Sequence, residues 1–170
     1  MSQRTSLREY QQQLHKRLQE ESAGDAAQAA RLGVLAAGNY WLIRLDEAQE
    51  VLAVGAITPV PLTRTWFRGL VNVRGSLYSV VDFAEFTMGQ RSAISVDARI
   101  VLIAERFHVA AALLVEKMLG LRTLQSLEPD STPPGFPWAR ARWRDADGRS
   151  WREISIADMV RHNDFLQAGL

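Results

Sequence analysis

The chain contains no cysteine. Disulfides, thiolate catalysis and cysteine-ligated zinc are therefore excluded, and the lack fits a reducing compartment. Histidine is scarce. The three copies, His15, His108 and His162, stand in no H-x-x-x-H or comparable ligand spacing. No G-x-S-x-G elbow, G-x-x-x-x-G-K-[ST] loop or G-x-G-x-x-G turn occurs, and the scattered carboxylates single out no acid–base pair. A surplus of one charge is missing as well: 20 basic residues meet 19 acidic ones, for a net charge of +1. Neither nucleic acid nor an anionic membrane is therefore an electrostatic default partner. No window is apolar for the length of a membrane span, and MSQRTSLREYQQQ has no apolar signal core. The expectation is a soluble, cytoplasmic protein with no direct membrane insertion, no catalytic residue, no cofactor and no metal.

What is present is a core. Of 170 residues, 47% are hydrophobic, enough for one folded domain. Residues 1–28 differ in texture. SLREYQQQLHKRLQEE is polar, with Leu7, Tyr10, Leu14 and Leu18 forming a thin helical stripe and Ser6 and Glu9 placed as a capping box. A helical extension and linker is expected there, resting on its own domain or on a partner.

From residue 29 onward the texture is β. RLGVLA and NYWLIRL flank Gly38-Asn39, a hairpin signal, and DEAQEVL has room for one helical turn. Pro59 and Pro61 mark a loop or an edge. In RTWFRGLVNVRGSLYSVVDF, two strands flank a turn at Arg74-Gly75-Ser76, and Asp82 is placed to cap a helix that stops at Gly89. ARIVLIA is apolar at nearly every position, as suits a strand buried on both faces. FHVAAALLV reads as its partner strand, with His108 on it. In WARARWRDADGRSWREI, Ala139, Ala141 and Trp143 alternate with Arg140, Arg142 and Arg144, and Asp147-Gly148 signals a turn. SIADMVRHNDFLQ reads as a closing helix capped by Ser155. Many short strands with helices only at the margins predict an all-β barrel or sandwich with minor helices. The βαβ alternation of nucleotide-binding folds is missing.

Two readings compete for function. Alternating arginine and tryptophan over residues 138–152 can hold single-stranded nucleic acid on a small barrel, or can bury its tryptophans and leave the arginines on a solvated face. Arg74, at the tip of the central hairpin, is a forked cation suited to a protein contact.

The order of these pieces resembles the CheW domain family. The resemblance rests on EAQEVL, the proline-containing loop and FRGLVNVRGSLYSVVDF. Gly69, Asn72, Arg74, Gly75 and Asp82 fall at the family's spacing, and Glu50 at its expected distance upstream. FHVAAALLVEKMLGL and RARWRDADGRSWREISIADMV are similar to the family's later strands and closing helix. Ser79, Glu116 and Ala111 or Ala112 depart from the usual Pro, Asp and Gly. The polar extension and TWFRGLVNVRG look most like the CheW-like proteins of type IV pilus twitching-motility systems. The resemblance implies two small five-stranded SH3-like barrels over residues 29–170. It also implies a non-catalytic adaptor that joins a methyl-accepting chemoreceptor tip to the regulatory domain of a CheA-type histidine kinase, in receptor arrays at the inner membrane. By matching position it gives partner contacts to Arg74 and Glu50, with Arg68 as a further candidate, and turn-forming roles to Gly69, Asn72, Gly75 and Asp82.

Overall fold

A computed structural model describes residues 29–170. The extension expected over residues 1–28, with His15, lies outside the described residues.

The first hairpin is β1 (Ala30–Ala36) and β2 (Asn39–Arg44). Its two-residue turn is Ala37-Gly38, both at positive φ, one residue earlier than the Gly38-Asn39 signal suggests. Asn39 begins β2, and its Nδ2 donates to the Ala37 carbonyl at 2.7 Å. The helical turn expected in DEAQEVL is a 3-10 turn at Leu45–Glu47, after which the chain extends as β3 (Ala48–Ala53). Next come β4 (Phe67–Val73), β5 (Ser76–Asp82), the short helix α1 (Phe83–Met88), β6 (Arg99–Ile103) and β7 (Ala111–Val115). The chain then adds β8 (Lys117–Thr123), β9 (Glu128–Asp130), β10 (Ala139–Arg144) and β11 (Ser150–Ile154). Two single-turn helices, α2 (Ile156–Met159) and α3 (Asn163–Leu166), finish it.

These strands make two sheets, one of six strands in the order β8-β1-β2-β11-β10-β9 and one of five in the order β3-β6-β7-β5-β4. The first thus carries one short strand beyond the five expected. The chain enters the six-stranded sheet, builds the whole five-stranded sheet as one contiguous segment, and returns, so only the six-stranded sheet is split in sequence. Each return is sealed by a parallel pair: β11 beside β2, and β5 beside β7.

Strand alternation distributes the apolar residues over three cores. On β6, Ile100 and Leu102 point into the five-stranded sheet's own core, with Val71, Val80, Ala112 and Leu114. Val101 and Ile103 point the other way, into a shared core with Trp41, Phe83, Leu113 and Ile154. Leu42, Leu127 and Trp151 fill the inside of the six-stranded sheet. The uninterrupted apolar run of ARIVLIA is therefore a strand between two cores.

Three expectations change. His108 does not lie on a strand: Glu105–Phe107 form a 3-10 turn that His108 closes in the left-handed region at φ 54°, and β7 begins only at Ala111. The closing helix is broken, because His162 takes an extended conformation and caps α3, its Nδ1 accepting from the Asp164 N–H at 3.3 Å. The alternation over residues 139–144 is interrupted by a bulge. Ala139 lies opposite Ile154, whereas Arg142 lies opposite Arg152 and is half-buried rather than on a fully solvated face.

Candidate functional site

The β4–β5 hairpin turns on Arg74 and Gly75, at φ 51° and 90°. Such a turn needs positive φ at both central positions, which favours Asn or Gly and disfavours a long side chain. Asn72 Oδ1 accepts from the Gly75 N–H at 2.8 Å and fixes the turn locally. An arginine held in the left-handed region gains nothing from its backbone, so its side chain is what the position uses.

That side chain reaches across the sheet's open seam. β4 and β3 are the two edges of the five-stranded sheet. As the sheet curls, Arg74 meets Glu50 of β3 in a forked ion pair, Nη1–Oε2 at 2.8 Å and Nη2–Oε1 at 2.6 Å. The hydrogen bond from Arg74 holds the Glu50 carboxyl below its usual range and raises the guanidinium above its own. The Arg74 side chain is still 74% exposed, so most of it is free to meet a partner.

An open depression of about 320 Å³ is lined by Gln49, which precedes Glu50, by Ser76, which follows the turn, and by Leu77, Tyr78, Glu105 and His108 among others. Leu77 is 58% exposed although it lies on a strand. A second depression, about 280 Å³, runs between Trp66, Phe67, Phe165 and Leu166, and shares Val109 and Ala110 with the first. Together they make a continuous, partly apolar surface running from the charged turn to α3. Gln49, Leu77 and His108 carry no motif, and only the fold brings them to one depression.

Arg68 sits elsewhere. Its Nη1 donates to Asp82 Oδ2 at 2.9 Å and to the Ser92 carbonyl at 3.2 Å, and its side chain is 13% exposed. Asp82 is wholly buried and accepts from four donors: Arg68, the Glu85 N–H, the Ser92 N–H and the Ser92 hydroxyl. One carboxylate thus caps α1, anchors the loop after it and holds the base of β4. Gly69 serves the same region. Thr58 and Leu70 exchange backbone hydrogen bonds at 2.8 Å, and a Cβ on Gly69 would collide with the Thr58 carbonyl.

The arginine–tryptophan hairpin does not offer a stacking platform. Trp138 and Trp151 are buried, and Trp143 Nε1 donates to Glu153 at 3.0 Å. The nucleic-acid reading loses the exposed aromatic faces it requires. Among the described residues no group of His, Asp or Glu is arranged to hold a metal ion, and no helix is long and apolar enough to cross a membrane.

A two-sheet β module that presents a braced arginine turn and a partly apolar surface has the make-up, as a class, of a protein-docking module. The chain belongs to the CheW-like domain family, whose model matches residues 31–164. It is 31% identical over 91 residues to the protein PilI of Pseudomonas aeruginosa, a match that covers 54% of this chain and 51% of that relative, so the chain spans about half of the curated relative it matches. The crystal structure of the scaffolding protein TtCheW from Thermoanaerobacter tengcongensis has the same fold, with a TM-score of 0.66 at 19% identity over 80% of this chain and 90% of that one.

Proposed function

We propose that the protein is a non-catalytic adaptor of bacterial chemosensory signalling. It couples the cytoplasmic tip of a methyl-accepting receptor to the regulatory domain of a CheA-type histidine kinase, in the cytoplasm at receptor arrays. Membership of the CheW-like family and the scaffolding role named for TtCheW support the class. The similarity to PilI supports an output in type IV pilus twitching motility. The observation that carries the site is Arg74: a cation in a backbone region that disfavours it, braced by Glu50 and largely open to solvent.

An adaptor of this kind works by geometry. Two weak docking faces on one rigid body hold two partners at a fixed separation, and repetition in an array multiplies them into a stable assembly. The interleaved sheets and shared core provide that rigidity. Arg74 and Glu50 belong to one docking face, with Leu77 as the apolar contact beside them. Arg68 acts behind that face by fixing β4 through Asp82.

The test is capture of a purified receptor tip and a purified kinase regulatory domain by the full chain. Binding of either that weakens in Arg74→Ala, with unchanged circular dichroism, supports the reading. Full binding of both partners by that variant removes Arg74 from the interface, and no binding of either by the wild type removes the adaptor role.

A further inference from the structure

A second arginine feature lies on the six-stranded sheet, away from the Arg74 turn. Arg142 of β10 and Arg152 of β11 stand directly opposite each other across the hairpin. Like charges in that relation destabilise a sheet. Their neighbours are neutralised: Arg140 by Glu47 and Asp158, Arg144 by Asp130, Arg149 by Asp147, and Arg31 by Glu153. Among the described residues, no carboxylate lies within ion-pair distance of Arg142 or Arg152.

The two side chains are nevertheless held in place. Both are half-buried, and the Nε of each is buried without a hydrogen-bond partner. Arg152 lies over the Trp41 ring, 5.3 Å from its centroid, and its Nη1 donates to Asn39 Oδ1 at 2.8 Å. Arg142 runs beside Gly135 of the loop 131–137, where an added Cβ would come into contact with Nη2. Burial, and then the charge of Arg142, lowers the pKa of Arg152. Two ordered, partly desolvated guanidinium groups with unused donors have the composition of an oxyanion receptor, since the forks match carboxylate and phosphate geometry.

We propose that Arg142 and Arg152 form an oxyanion-binding site, which takes a carboxylate or phosphate group against the paired guanidinium groups. The site goes beyond the adaptor reading and stands independently of it. The anion offsets the repulsion across the hairpin through the outer Nη groups, since the Nε donors are closed to solvent. Dissolved phosphate and an acidic side chain of a protein partner share this chemistry.

The test uses the ¹⁵N-labelled full chain and follows the arginine Nε–Hε signals. Sodium phosphate and a capped triglutamate peptide are titrated in separately at constant ionic strength. Saturable shifts of the Arg142 and Arg152 signals in the millimolar range are expected with at least one probe, while exposed Arg161 drifts without saturating. A response to phosphate identifies a free anion as a source, and a response to triglutamate alone identifies an acidic protein segment. Arg142→Gln is expected to weaken binding about tenfold, as for one lost charge-assisted contact, and to melt no lower than the wild type. Arg142→Lys keeps the charge without the fork and is expected to bind more weakly too, which decides the matter should the glutamine variant fail to fold. Absence of saturation with both probes, or unchanged affinity in the folded variants, overturns the site.

Discussion

Arg74 and Glu50 join the two edges of the five-stranded sheet through a forked ion pair of 2.6 and 2.8 Å, one from the tip of a hairpin and the other from the opposite edge strand. The pair braces the guanidinium on a surface where it remains open to solvent, and its two halves fail in different ways when changed. Arg74→Gly relieves the left-handed backbone and removes the cation. Thermal stability is expected to hold or rise, whereas capture of the receptor tip or kinase domain falls. A melting curve and a pull-down on the same preparation separate the two effects. Glu50→Gln leaves the cation unbraced, and a weaker loss of capture is expected.

Asp82 is the buried junction of α1, β4 and the loop at Ser92. Asp82→Ala leaves Arg68 half-buried without its carboxylate and abolishes the helix cap. A loss of about 3–5 kcal/mol is expected, as when one partner of a buried pair is removed. Urea unfolding measures it, and a midpoint equal to the wild type's contradicts the anchoring role. Arg68→Ala is expected to destabilise as well, unlike Arg74→Gly.

Gly69→Ala tests the close approach of β4 to Thr58. Its φ of 129° disfavours any side chain, and the new methyl has only backbone atoms to push against. A destabilisation of about 2 kcal/mol or more follows from such strain. The equilibrium unfolding midpoint reads it directly, and a neutral outcome rules out the tight bridge.

Glu47 supplies a pH signature. Burial pushes its carboxyl above the ordinary value, against the hydrogen bond from the Ile156 N–H and the charge of Arg140. The native state therefore keeps this proton longer than the unfolded chain does. Between the ordinary glutamate value and the raised native one, the wild type loses stability from this group as pH rises, and above both the loss is constant. Glu47→Gln lacks that term. The difference in stability, variant minus wild type, is expected to grow in favour of the variant across that window and then level off. Parallel stability curves at all pH values would show that Glu47 is not perturbed.

Much of the fold was legible because period-two alternation, turn residues and caps are local. The central hairpin, the apolar run over residues 99–103, the Asp82 cap with Gly89 after α1, and Ser155 before α2 all follow from neighbours within a few positions. The misread places have physical causes. The bulge in β10 reverses which residues share a face, and no residue type there announces it. His108 resembles a strand residue because apolar residues surround it, yet the chain needs a turn before β7. The polar, mixed sequence of β8 makes sense only as an edge strand, since an edge buries one face at most.

The sequence by itself determined the β character, the turn chemistry that places Arg74 at a hairpin tip, and the lack of thiolates and known catalytic motifs. These depend on local sterics and on composition. Only the tertiary structure decided which charges meet. It paired Arg74 with Glu50, 24 positions apart, drew Arg68 inward to Asp82, and left Arg142 facing Arg152 without a carboxylate. Strand order and sheet curl set those distances. They arise from burying three apolar cores at once, a condition that no short stretch of the chain contains.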